Sequence, residues 1–207
     1  YAAMFLIPVP GYGAGDLSIE GNLHGWIDRN FLPGRLLQKT YDENGLLTQL
    51  PALCLTVFGT LAADILRNPS LPDLVKFRNL AVSGAVCLVI GLLWGLHFPI
   101  NKHLWSSSFI MLTGGMSFLV FALFYWVIDI LKYQKWTFFF IVIGMNSLTI
   151  YMVYRFIDFG HTSALLFQGL YSDAAEKWHP VFESIGALII VWLFLYFLYR
   201  RKIFIKI

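Results

Sequence analysis

The chain has 207 residues, of which 58% are hydrophobic and only 13% charged, with a mean hydropathy of +0.68. A soluble domain carries roughly a quarter charged residues, so this composition excludes one and reads as an integral membrane protein. The net charge of +3 comes with no basic tract among interleaved aromatics, which excludes a nucleic-acid binder.

In chain order, residues 1-7 read as the end of an upstream transmembrane helix, because the opening Tyr1-Ala2-Ala3-Met4 has neither an initiator Met nor the basic start of a signal peptide. Residues 8-45 cannot sit in hydrocarbon: they hold Asp16, Glu20, Asp28, Asp42, Glu43, Arg29, Arg35, Lys39 and seven glycines. We expect them to form a polar cap. Five apolar runs follow, about 46-66, 77-96, 104-131, 136-157 and 180-199, each near the roughly 20 residues that cross a bilayer core as a helix. No alternating ten-residue segments argue for a barrel. The fold class is all-α, a polytopic membrane helical bundle of about five full transmembrane helices beneath an outer cap loop. Cys54 and Cys87 fall within apolar runs, where a thiol packs as a small hydrophobe, and no disulfide is expected.

Orientation follows from the cations. One set of connections holds Arg67, Lys76, Arg78, Lys132, Lys135, Arg200, Arg201, Lys202 and Lys206; the other holds Arg29, Arg35, Lys39, Lys102, Arg155 and Lys177, spread over greater length and mixed with acids. The positive-inside rule places the first set and the C-terminus in the cytoplasm and the cap outside.

Candidate chemistry is sparse. Gly11-x-Gly13-x-Gly15 lacks the strand and helix of a phosphate loop and reads as a flexible turn. The histidines lack metal-ligand spacing, and no metal is expected. The connection Phe98 to Ser106 is either a lipid-headgroup border or a loop whose Asn101, Lys102 and Ser106 meet a polar ligand. Asn146, near the middle of its run, must find a partner, as glue between helices or as a ligand contact. Arg155 is expected to pair with Asp158 or both with Glu183, and Asp64 with Arg67 and Asp129 with Lys132 are expected as local salt bridges.

The segments Val9 to Asp16, Glu20-Gly21-Asn22, Ile27-Asp28-Arg29 and Tyr41 to Leu47 resemble bacterial relatives of heparan-α-glucosaminide N-acetyltransferase. So do Phe98 to Lys102 with Leu104-Trp105-Ser106, and Gly144-Met145-Asn146-Ser147. That resemblance implies a transmembrane acyltransferase that moves an acetyl group from cytosolic acetyl-CoA to an amino sugar or other sugar acceptor on the outer side of a bacterial inner membrane. It implies an acceptor site drawn from Asn22, Asp28, Arg29, Asp42, Glu43, Asn101, Lys102 and Ser106, with Asn146 and Ser147 toward the acyl group or the coenzyme. Arg67, Lys76 or Arg78 would meet coenzyme phosphates, although anionic lipid suits them better. The family's catalytic histidine has no match here and would lie upstream of Tyr1, so the chain alone should be inactive; His24 and His103 lie within the motifs but are not assigned that role. Membrane lipid is the expected partner, and the resemblance suggests a homodimer. The alternatives are a transporter or export module, and a non-catalytic subunit of a larger assembly.

Overall fold

The computed structural model describes residues 2-172 and 175-205; Tyr1 and Lys206, which entered the sequence reading, lie outside the described residues. Among those residues every regular element is helical, with one isolated bridge between Val9 and Gly13. Four helices are long and apolar enough to cross a membrane, and the chain is a polytopic helical membrane protein. It divides into two compact units, the first ending at Lys132 and the second beginning at Tyr133.

The first unit holds a 3-10 helix Ala2–Leu6, then α1 (Leu23–Phe31), α2 (Gln49–Arg67), α3 (Asp73–Gly95) and α4 (Ser107–Tyr125). A π-helical turn Trp126–Ile130 carries α4 onward. Helices α3 and α4 form an antiparallel hairpin whose backbones touch. A Cβ added to Gly91 would sit 2.5 Å from the Leu112 nitrogen, and one added to Gly115 would sit 2.5 Å from the Leu88 nitrogen. Lipid tails are as apolar as leucine, so helix pairing here depends on such close van der Waals approach. Leu80, Phe118, Ala122 and Ala62 of α2 form the core beside this seam. At the end far from the cap, the Tyr125 hydroxyl donates to Asp73 Oδ1 at 2.8 Å. At the near end Phe5, Phe98 and Leu104 are buried together with Ala2 and Leu17 against them. That cluster seats the start of the cap on the α3–α4 loop.

The glycine-rich opening of the cap is more ordered than a flexible turn. Val9 and Gly13 exchange backbone hydrogen bonds at 2.7 and 2.9 Å. Gly11, Gly13 and Gly15 all have φ between +78° and +91°, a region open to glycine at little cost.

The second unit holds α5 (Thr137–Met145), α6 (Ser147–Val153), α7 (Phe159–Tyr171), a 3-10 turn Glu176–Trp178 and α8 (His179–Arg200). The run 136-157, expected as one span, is divided at Asn146, whose φ of −132° and ψ of 32° are not helical. Asn146 Nδ2 donates to the Ile203 carbonyl at 3.1 Å and its Oδ1 accepts from Thr149 at 3.3 Å. Ile203 is placed by the end of α8: Lys202 takes φ +56°, and the Ile203 and Lys202 amides bond back to Leu198 and Tyr199 in the Schellman pattern. Helix α5 packs on α8, with Phe139 stacked on Trp192 and Phe138 edge-on to Tyr196 and Tyr199.

Helix α7 was not foreseen. It begins because Asp158 caps it, accepting from the His161 amide at 3.0 Å. Asp158 thus serves a helix end, and the expected pairing with Arg155 does not form. Among the described residues the salt bridges are His24–Asp28 and His103–Glu43; Asp64–Arg67 and Asp129–Lys132 do not close either. Exposed pairs of this kind gain little and cost side-chain freedom. Helix α7 returns along α8, with Tyr171 stacked on Phe182 at 5.4 Å and Ser163 Oγ against Gly186.

Replacing Gly91 with Ala should destabilise the first unit by about 1–3 kcal/mol, since a backbone must move to admit the methyl group. Gly59→Ala, where the added carbon meets nothing within 4 Å, should be neutral or stabilising. Thermal unfolding of both variants in detergent checks the contrast.

Candidate functional site

The cap is built around one carboxylate. Asn22 starts α1 by accepting from the Gly25 amide at 2.8 Å and donating to the Ser18 and Ile19 carbonyls. One turn along, His24 and Asp28 stand at i and i+4 and so share a face. Their Nε2–Oδ2 distance is 2.7 Å, at 1% and 0% exposure. Asp28 also accepts from the Asp42 amide at 3.1 Å and the Leu46 amide at 3.2 Å. A buried carboxylate is tolerated when its lone pairs are met in this way. Gly45 lies against it so closely that a Cβ there would fall 2.3 Å from both carboxylate oxygens.

His24 Nε2 lies 2.9 Å from the Asp42 carbonyl as well. Both of its neighbours accept, so Nε2 carries the hydrogen, and Nδ1 is buried with no partner among the described residues. The turn Asp42 to Leu46 is therefore gripped from within by α1. Its own side chain helps: Asp42 accepts from the Asn44 amide at 2.8 Å and the Leu37 amide at 3.1 Å. Arg29 ties the remaining loops, donating to the Glu20 carbonyl at 2.6 Å and the Thr40 carbonyl at 2.9 Å. Asp16, at the edge of the cap, accepts from Ser18, which lowers the pKa of its carboxyl from the ordinary value.

The facing loop is equally fixed. Asn101 and Ser106 close it, the Asn101 amide donating to Ser106 Oγ at 3.0 Å and the Ser106 amide to the Asn101 carbonyl at 3.1 Å. Asn101 Oδ1 accepts from the His103 amide at 2.8 Å. Ser106 also caps α4, and its hydroxyl meets that of Ser108, which in turn donates to the Pro99 carbonyl. Trp105 sits at φ +49°, a left-handed conformation rare outside glycine and costly for a bulky residue. This closed turn presents His103 to the cap. His103 Nδ1 lies 2.7 Å from Glu43 Oε1 and 3.0 Å from the Tyr41 hydroxyl. Burial, and then the Glu43 carboxylate, raise the pKa of the Tyr41 phenol above its ordinary value.

The residues expected at an acceptor site thus fall into two groups. Asn22, Asp28, Arg29, Asp42, Asn101 and Ser106 are brought together, but their polar atoms are engaged in holding the cap and loop. Glu43 and exposed Lys102 stand at the surface where cap and loop meet. Asn146 and exposed Ser147 belong to the second unit, and Asn146 spends both ends of its amide on Ile203 and Thr149. Sequence reasoning passed over His24 and His103. The i, i+4 spacing from His24 to Asp28 was visible, whereas His103 and Glu43 are 60 residues apart and share no local pattern.

Asp28→Ala should cost about 3 kcal/mol or more, because it strands two backbone amides and leaves the buried His24 imidazole N–H only the Asp42 carbonyl. Thermal unfolding and limited proteolysis of the segment 34-41 measure this. A shift no larger than that of exposed Arg35→Ala would remove Asp28 from its place at the centre of the cap.

No family model matches the chain. Among curated proteins, it is 26% identical over 242 aligned residues to heparan-alpha-glucosaminide N-acetyltransferase of Mus musculus, covering 100% of the chain and 35% of the relative. It is 27% identical over 239 residues to the protein of the same name from Homo sapiens, covering 98% of the chain and 34% of the relative. The chain spans about a third of the length of these relatives. From one end to the other, and against that third, the chain is similar to heparan-α-glucosaminide N-acetyltransferases.

Proposed function

We propose that this chain forms the acceptor-side part of an integral membrane acyltransferase, which moves an acetyl group from cytosolic acetyl-CoA to an amino sugar or other sugar acceptor. The observation that carries the reading is similarity along the whole chain to proteins named as N-acetyltransferases. The cap supports it: a polar lid with one exposed carboxylate–imidazole pair sits over the near end of α2, α3 and α4. Asn22, Asp28, Arg29, Asp42, Asn101 and Ser106 shape that mouth by fixing its backbone. Glu43 and Lys102 contact the acceptor, the carboxylate suiting a substrate that arrives as an ammonium and the lysine a sugar hydroxyl or an anionic substituent.

Arg67, Lys76 and Arg78 cluster at the other end of the first unit, which supports a cap outside and these cations inside. There they meet anionic lipid headgroups or the phosphates of the coenzyme. The family's catalytic histidine is not assigned to any residue of this chain, and the chain alone is inactive in this reading. The cellular setting is a bacterial inner membrane.

Full-length protein in detergent, given acetyl-CoA and glucosamine, should yield N-acetylglucosamine. Failure to acetylate any amino-sugar or hydroxyl acceptor would overturn the enzyme reading. For orientation, a cysteine placed at Arg35 in a chain lacking Cys54 and Cys87 should react with a membrane-impermeant maleimide added to intact cells, and one placed at Arg67 should not.

A further inference from the structure

Asp64 stands in the last turn of α2, just before the helix ends at Arg67. Two things count against an ion there. The helix dipole presents its negative end to the carboxylate, and α2 is one of the helices long and apolar enough to cross a membrane, where a charge is costly. No neighbour offsets that cost: the salt bridges among the described residues are the two histidine pairs, and neither Arg67 nor Lys76 closes on Asp64.

Asp64 also borders a groove. Between α2, α3 and α4 lies an open cavity of about 420 Å³, lined by Phe58 and Leu61 of α2, Val86 of α3 and Phe118 of α4, with Asp64 and Ser83 bringing its side-chain oxygens. That volume falls in the range of small-ligand sites, about 300–1,000 Å³. Phe58, Leu61 and Asp64 recur at i, i+3 and i+6 and share one side of α2, while Lys76 and Ser83, seven apart, share one side of α3. Partly buried Lys76 therefore stands on the groove side of α3, two turns nearer the end far from the cap than Ser83, and Arg67 is nearly one turn beyond Asp64. Exposed Arg78, about 200° round the helix from Lys76, is on the other side.

The groove thus has an apolar body, and its end is bordered by one carboxylate and two cations. A ligand that is anionic throughout would meet Asp64 as well as Arg67 and Lys76. One that joins a hydrocarbon chain, a phosphate and an ammonium matches every part. We propose that the groove is a binding site for a phospholipid whose headgroup ends in a primary ammonium. Its ammonium donates to Asp64, its phosphate accepts from Arg67 and Lys76, and one acyl chain lies along Phe58, Leu61, Val86 and Phe118. The Ser83 hydroxyl is placed to donate to an ester carbonyl. Arg78 is left to the surrounding leaflet. The inference does not rest on the acyltransferase reading, since every residue in it lies outside the cap and its facing loop.

Bulk lipid covers any apolar face, so what marks a site is its choice of headgroup. The test gives full-length protein in nonionic detergent equal amounts of phosphatidylethanolamine, phosphatidylcholine and phosphatidylglycerol with matched chains, and reads the lipid retained per chain by native mass spectrometry. The ethanolamine lipid should be preferred about tenfold over the choline lipid, which keeps the positive charge but has no N–H to donate. Asp64→Asn, nearly the same shape, should bring the two close to parity. Lys76→Gln should weaken both by a similar factor and leave their ratio unchanged, because both carry the phosphate. Equal retention of the two by the wild-type protein, a preference for phosphatidylglycerol, or an ethanolamine preference that survives Asp64→Asn overturns the proposal. So does displacement of the bound lipid by coenzyme A, which would give the cations to the coenzyme. Thermal unfolding of each variant without added lipid should match the wild type, so that a lost preference reports on binding and not on the fold.

Discussion

A single carboxylate with no exposure to solvent sets the form of the polar cap. Asp28 must be surrounded by donors, because a charge taken out of water is tolerated only when its lone pairs are met. The donors available are an imidazole one turn back on the same helix and two backbone amides from a turn distant in sequence. Meeting that demand brings α1 against the turn Asp42 to Leu46, requires glycine at position 45 and turns Glu43 away from the interior. The rest of the cap follows from this grip, with Arg29 and Asp42 drawing in the loops on either side.

The same constraint divides the polar residues by task. Those that satisfy the buried charge, or each other, hold the backbone of the cap and the loop. What remains at the surface is the set the turn holds outward: Glu43, with Tyr41 behind it, meeting His103 across the gap to the α3–α4 loop. A rigid inner ring of hydrogen bonds thereby supports a small outer group with free valence, an arrangement suited to chemistry on a polar substrate at a membrane surface.

Much of this was legible in the residues, for reasons that can be named. Apolar runs near 20 residues announced α2, α3, α4 and α8, since hydrocarbon leaves a backbone few other choices. The cap was visible as the segment too charged for lipid. Asn146 was rightly singled out as an amide needing partners, but hydropathy could not say that it would break its helix and bond to a carbonyl beyond the end of α8. Helix α7 escaped notice because its 13 residues are too few for a span, and its cap, Asp158, was read as half of an ion pair. In the cap, motif resemblance pointed to residues that the fold brings near one another, yet types and spacing could not separate those that hold the backbone from those that stay at the surface. That distinction depends on where 60 intervening residues return the chain, and only His24 with Asp28 carried a local signature.

The contact between α3 and α4 bears on how the mouth can behave. With Gly91 and Gly115 pressed on the facing backbone, sliding one helix past the other would drive main chain into main chain. Tyr125 and Asp73 close one end of the hairpin and the Asn101–Ser106 turn closes the other. The pair is thus a strut, and its tip is an anchorage rather than a hinge. Any opening between cap and loop would therefore move the cap away from the strut, with His103 staying behind on the strut.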